Sequence, residues 1–167
     1  MRASTTIGAA PNVSIDGTVV VGRSVVGQIR SRRIARQVAQ IRVLRDRPQG
    51  LGERFNAEAT ALSVSSIVVY ELLVGAEKSA NSVEIRQEVD RFLSRVEVLQ
   101  FDAPAAAHAA EIRAALERRG APIGPYDTLI AGHARSRGLI VITGNLGEFT
   151  RVDGLRSEDW LASPPAR

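Results

Sequence analysis

The sequence predicts an α/β domain with a central parallel sheet covered by helices on both sides. Three observations carry this. Short apolar runs alternate with longer segments of helical periodicity, the pattern of successive βαβ units. The run "LIVIT" (139–143) is apolar throughout, as in a strand buried on both faces. Cap residues and glycines also punctuate the helical segments where helices should begin and end. At 167 residues, 44% of them hydrophobic, the chain suits one domain with a real core.

The elements follow in order from about Arg45. "RDRPQGLGERFNAE" reads as a turn at Pro48–Gly52 and then a short helix. "ATALSVSS" is a short apolar strand ending in serines, and Ser65 or Ser66 can cap the next helix, "SSIVVYELLVGAEKS". Asn81–Ser82 caps "VEIRQEVDRFLSRV", where Val89, Phe92, Leu93 and Val96 form an apolar stripe. "VEVLQF" is a strand. Asp102 with Pro104 opens "APAAAHAAEIRAALERR", which Gly120 ends. "PYDTLIAGHARSR" is a helix with Pro125 near its first position and Gly138 past its end. "LIVIT" is the last core strand, "GNLGEFTRVDGL" a loop with a short helical or extended piece, and "SEDWLASPPAR" a tail. Residues 1–41 do not join this alternation. They are weakly strand-like around Val13–Val21, and "QIRSRRIARQVAQIR" reads as a basic helix.

Composition excludes several classes. With no cysteine there is no disulfide framework and no Cys-based zinc site, which fits a reducing cytoplasm. No apolar run approaches the roughly 18 residues of a membrane span, and "TVVVG" is too short for a signal peptide. The net charge of +4 is uneven: residues 1–52 carry nine Arg and two Asp, whereas residues 53–167 carry 13 basic and 16 acidic groups. A basic first third suits nucleic acid as a partner, or marks a segment foreign to the domain.

The chain has no GxGxxG, no Walker loop, no GxSxG elbow and no HExxH. His108 and His133 read as structural. What remains is a set of acids at strand–helix junctions. Glu71 sits within Ile67–Leu73, where six of seven residues are apolar or aromatic, so a carboxylate there is expensive unless it is partnered. Asp127 lies in the first turn of its helix, where the helix dipole favours an acid. Thr143, Gly144 and Asn145 turn away at the carboxyl end of "LIVIT", the edge at which open α/β sheets bind ligands. Clustered carboxylates with no cysteine or histidine nucleophile suit metal-assisted hydrolysis. Mg²⁺ prefers oxygen ligands, and a pair of such ions can stabilise both oxygens of a phosphodiester displacement.

"SVSSIVVYELLVGAEKS" and "LERRGAPIGPYDTLIAGHARSRGLIVITGNLGEFTRVDGLRSEDWL", in this order and spacing, strongly resemble PIN-domain toxins of the VapC type, from about Val43 to Leu161. The resemblance implies a three-layer α/β/α domain over residues 42–161 with a tail at 162–167. It implies a Mg²⁺- or Mn²⁺-dependent endoribonuclease of a type II toxin–antitoxin system, cleaving RNA and blocked by a VapB-like antitoxin. A cytoplasmic homodimer without membrane attachment goes with this. Glu71 matches the family's helix acid and Asp127 its P-x-D metal ligand. Thr143 and Asn145 fall on its T-x-N segment, and Glu148 is family-like beside the site.

One departure stands out. Such toxins open with an apolar strand ending in D-T-N, about eight residues before the leucine of "LRDRP", and here those positions read "RQVAQIRVL" with no acid. The central first strand is therefore atypical or missing. Either residues 1–41 derive from a shifted frame or a mistaken start, or Asp16, in "NVSIDGTVVV", supplies the missing metal ligand and the basic stretch is an insertion. A third outcome is a catalytically defective protein that binds only antitoxin or RNA. Translating the DNA upstream of codon 43 in the other two frames should reveal an apolar run ending in D-x-N under the first origin. Its absence from every frame rules that origin out.

Overall fold

The computed structural model describes residues 62–160 in full, together with the backbone of two strands at 18–23 and 32–35. Along the chain run β1 (Thr18–Arg23), β2 (Arg32–Ala35), β3 (Leu62–Ser65), α1 (Ser66–Glu77), α2 (Ser82–Leu93) and β4 (Glu97–Leu99). There follow α3 (Ala103–Arg118), α4 (Pro125–Ser136), β5 (Ile140–Thr143), the single turn α5 (Leu146–Phe149) and β6 (Arg156–Glu158). Asp16, the turn at Pro48–Gly52 with its short helix, and the tail at 162–167 lie outside the described residues.

Every residue of β3 and β5 is buried. Successive side chains of a strand point to opposite faces, so both faces of the sheet are covered, as the apolar run "LIVIT" predicts. β3 pairs in parallel with β4, and β5 in parallel with β6. One core joins both halves, with Val64, Val68, Val89, Ile112, Leu116, Ile130, Val141 and Phe149 almost fully enclosed.

The remaining edge of β5 faces β3, and two strands are registered on it. β2 runs parallel with Arg33 opposite Ile140; β1 runs antiparallel with Val21 opposite the same Ile140. β1 and β2 also pair with each other, antiparallel, at Gly22–Arg33 and Arg23–Arg32, and both lie close to β3. Both strands, like β6, pair with β5 at Ile140. One expectation is corrected here. The basic stretch is extended at Arg32–Ala35 rather than helical, because ladder hydrogen bonds to β5 override the helix preference of Arg and Ala. The pairs β2–β5, β3–β4 and β5–β6 are parallel, as the fold class predicts, while β1 joins antiparallel.

A second correction concerns "RSED". It is not loop and tail but the edge strand β6, followed by a buried Trp160 whose indole N–H donates to Glu158 at 3.0 Å. β6 is three residues long and polar, so it carries no period-2 signal; its backbone pairing alone defines it.

The helix ends obey their local chemistry. Ser65 caps α1, its Oγ accepting from the Ile67 amide at 3.2 Å, and Asp102 caps α3 by accepting from Ala105 at 3.0 Å. That amide bond, with help from Arg137, holds the Asp102 carboxyl below the usual carboxylate range. Asn81 sits at the start of α2 as expected but makes no side-chain cap bond. Gly120 and Gly138 adopt φ of +64° and +61° and close α3 and α4 in paired 6→1 and 5→2 bonds, among them Ala121 N–H to Leu116 O (3.0 Å) and Leu139 N–H to Ala134 O (2.8 Å). Helices α3 and α4 meet so closely at Gly132 that a Cβ there would land in the Ala109 backbone.

This contrast is testable by urea denaturation. Gly120→Ala meets open space and should cost only the left-handed backbone penalty of about 1–2 kcal/mol. Gly132→Ala must separate two helices and should cost more, roughly 1–3 kcal/mol beyond that. Equal losses would show that the helix contact yields easily.

Candidate active site

Two helix starts and one loop converge at the carboxyl end of β5. Pro125 at the first turn of α4 exposes Tyr126 and directs Asp127 inward, where it is only 8% exposed. Thr128 Oγ donates to Gly124 O at 3.0 Å and fixes this first turn. The Gly124 amide donates in turn to Glu148 of α5 at 3.1 Å. A Cβ at position 124 would lie 2.9 Å from Asp127 Oδ2 and 3.7 Å from Glu148 Oε2, so both carboxylates flank this one glycine and a side chain there would intrude between them.

Glu71 reaches the same region from α1. It is half-buried, so the apparent fault in an apolar helix is relieved: α1 buries Val68, Leu72 and Ala76 and leaves its Tyr70–Glu71 flank to solvent. Tyr70 meets Tyr126 with ring centroids 5.7 Å apart, and the Tyr126 hydroxyl donates to that of Tyr70 at 3.4 Å. The Tyr126 phenol is held above its ordinary pKa chiefly by this bond, with the Glu71 carboxylate adding to the effect. Glu71 thus stands within electrostatic reach of the residue before Asp127.

Thr143 and Asn145 occupy the turn after β5, as their spacing suggests. Thr143 is buried and its Oγ1 accepts from the Asn145 amide at 2.8 Å; this bond shapes the turn that carries Glu148. Asn145 is half-buried at the start of α5, with no side-chain cap bond. The oxygens of Glu71, Asp127, Glu148, Thr143 and Asn145 are the ligand type that Mg²⁺ takes. Among the described residues, however, no three acids or histidines close on one point tightly enough to hold a metal.

Beneath the site His133 is fully buried on α4, its Nδ1 2.9 Å from Ser65 Oγ and its ring edge-on to Phe101 at 5.7 Å. Burial, with Arg137 adding to it against the pull of Asp102, pushes its pKa down to about 4. His108 is half-buried and accepts from Arg135 at 2.9 Å. Both histidines are structural, as read from the sequence. At the rim, Arg151 is exposed; its guanidinium donates to Pro122 O at 3.4 Å, and it forms no ion pair among the described residues.

The model of the PIN domain matches residues 39–155. The chain is 50% identical over 117 residues to the tRNA(fMet)-specific endonuclease VapC of Salmonella typhimurium, covering 70% of this chain and 89% of that protein. It belongs to the VapC-type PIN-domain family. Ribonuclease VapC2 of Haemophilus influenzae is 45% identical over 121 residues, or 72% of this chain and 92% of that one. In structure, the DNA-bound VapBC of Salmonella typhimurium matches with a TM-score of 0.68 and 49% identity, covering 72% of this chain and 91% of that one. In this VapC-type chain, Gly124 and the Tyr70–Tyr126 contact are what sequence reading missed. The "GPYD" string holds two of these three residues, Gly124 and Tyr126, but nothing in it reveals what faces them.

The His133 environment sets a pH dependence. Its folded pKa lies below the unfolded value near 6.5, so the folded state disfavours the proton. The stability this gives is complete above pH 6.5 and is lost as pH falls toward about 4, by an amount on the order of 3 kcal/mol. Chemical denaturation at pH 7 and pH 4.5 should show this loss in the parent chain and a smaller one in His133→Gln. An unchanged slope would place the acid sensitivity elsewhere.

Proposed function

We propose that this chain is a divalent-metal-dependent endoribonuclease, the toxin of a type II pair, held inactive by a VapB-type antitoxin. The observation that carries this is the convergence of Asp127 and Glu148 on the bare Gly124 backbone, with Glu71 alongside. Asp127 and Glu148 flank the same glycine, and a cation offsets the repulsion between carboxylates brought together in this way. Asp127 and Glu71 would hold Mg²⁺ or Mn²⁺, with Asp16 as the further ligand if the N-terminal segment delivers it. When bound, the ion supplies charge neutralisation at the phosphate and activation of water. Thr143 and Asn145 shape the loop that carries Glu148, and Arg151 offers a phosphate contact at the rim.

The names of its relatives support RNA as the substrate and tRNA(fMet) as the first one to test. That similar chains crystallise as VapBC complexes supports the antitoxin partner. We place the working unit at 42–161 and residues 1–41 apart from it, a division supported by the start of the family match at 39. Homodimer formation and a cytoplasmic site go with the reading. No described helix is long and apolar enough to cross a membrane.

A second reading rests on its own observation. Among the described residues the acids alone do not close a metal site, and neither β1 nor β2, both paired with β5, ends in an acid. On that reading the chain is catalytically defective and binds only antitoxin or RNA. Cleavage of a tRNA(fMet) transcript decides between them. The nuclease reading expects Mg²⁺-dependent cutting that EDTA abolishes and that Glu71→Gln or Asp127→Asn lowers by about 100-fold or more without loss of folding. A fold-intact parent that cuts nothing supports the defective reading, and full activity in both variants refutes the assigned site. Asp16→Ala leaving Glu71-dependent cleavage intact would remove Asp16 from it.

A further inference from the structure

The chain has two tyrosines, and both stand at this site. Tyr70 is 51% exposed and Tyr126 41%, and the other exposed large hydrophobics among the described residues are the aliphatic Val83 and Val98. Trp160, Phe92 and Phe149 are buried in the core. Each tyrosine directly precedes one of the acids, Glu71 or Asp127, although the two arrive from different helices.

Nothing in the fold explains their exposure. A large ring left in water forgoes the stabilisation that burial would give it, and these rings pack only partly on each other. Their contact is nonetheless specific. The rings are tilted by 47° at 5.7 Å, and the hydroxyls are joined at 3.4 Å. Held in this way, neither ring has to be ordered when a ligand arrives, so the entropic cost of binding is reduced.

A nuclease that places one phosphate at its acids must also place the bases on either side. Single-stranded RNA presents unstacked bases, and aromatic faces hold them without needing a particular sequence. We propose that Tyr70 and Tyr126 form a stacking platform for an unpaired base of the RNA, next to the acids Glu71 and Asp127. This rests on the nuclease reading for its substrate class. The rings present exposed π-faces rather than an apolar groove, which suits a base.

The test uses the full chain in EDTA, where no cleavage occurs, and a short single-stranded RNA carrying 2-aminopurine. Binding should quench the fluorophore. Tyr126→Leu and Tyr70→Leu should weaken binding by about 5- to 100-fold, whereas the Phe variants should stay within about 2-fold of the parent. An RNA made abasic at that position should bind the parent as weakly as the intact RNA binds the Leu variants. Parent-like affinity of folded Leu variants overturns the platform, as does an unquenched base on the parent. Leu variants that change only the oligomeric state on size exclusion also overturn it, by placing the rings in a protein contact. The two readings fail separately. Mg²⁺-dependent cleavage with KM unchanged in the Leu variants overturns the platform and leaves the nuclease; base quenching by a parent that never cleaves does the reverse.

Discussion

The bond between His133 and Ser65 ties the candidate site together. Ser65 ends β3 and caps α1, the helix that carries Glu71. His133 lies on α4, the helix that carries Asp127 in its first turn. Their contact at 2.9 Å, wholly out of water, fixes the root of one acid-bearing helix against the body of the other. Its strength depends on a neutral ring. A charged imidazole at that depth would be desolvated beside Arg137, which is why the proton is held off to about pH 4. The Ser66 hydroxyl extends the anchor by accepting from the Phe101 amide at 3.1 Å, which joins the end of β4 to the same helix start.

On this frame the acids gather by backbone economy rather than by long side chains. Gly124 gives Glu148 an amide to bind and leaves the space in which Asp127 lies. The same loop carries Pro122, on which Arg151 rests. Carboxylate, amide and guanidinium groups are therefore arrayed along a few residues between α3 and α4. Tyrosines from α1 and α4 close over the other side. Such an array suits an anionic, partly aromatic ligand: cationic and amide groups at the rim, acids for a cation, and exposed rings for bases.

The centre of the sheet presents the opposite situation. β3 and β5 are buried on both faces, and the seat between them decides whether the sheet is continuous. The VapC-type pattern fills that seat with an apolar strand ending in an acid. This chain offers "TVVVGR" in one direction and "RRIA" in the other, both registered on Ile140. Neither ends in an acid. The departure read in the sequence and the strands paired with β5 concern the same place.

Local chemistry made much of this legible in advance. Ser65, Asp102, Gly120 and Gly138 mark helix ends because a cap or a positive φ is satisfied within a few residues, and "LIVIT" marks a buried strand because both its faces are apolar. Glu71 stood out as an acid in an apolar helix and Asp127 as a first-turn acid, and the strings around them, in their order and spacing, were enough to suggest the family. Three things needed the tertiary structure. β6 is too short and polar to show a period, and only its pairing with β5 makes it a strand. "RRIA" favours a helix by propensity and is extended by its ladder. Gly124, Tyr70 and Tyr126 gain their meaning from partners 24 and 56 residues away. By itself the sequence determined what each segment can be, since capping and periodicity act over one or two turns; the fold decided which segments meet, because pairing, close approach and ring contact depend on distances that no local spacing encodes.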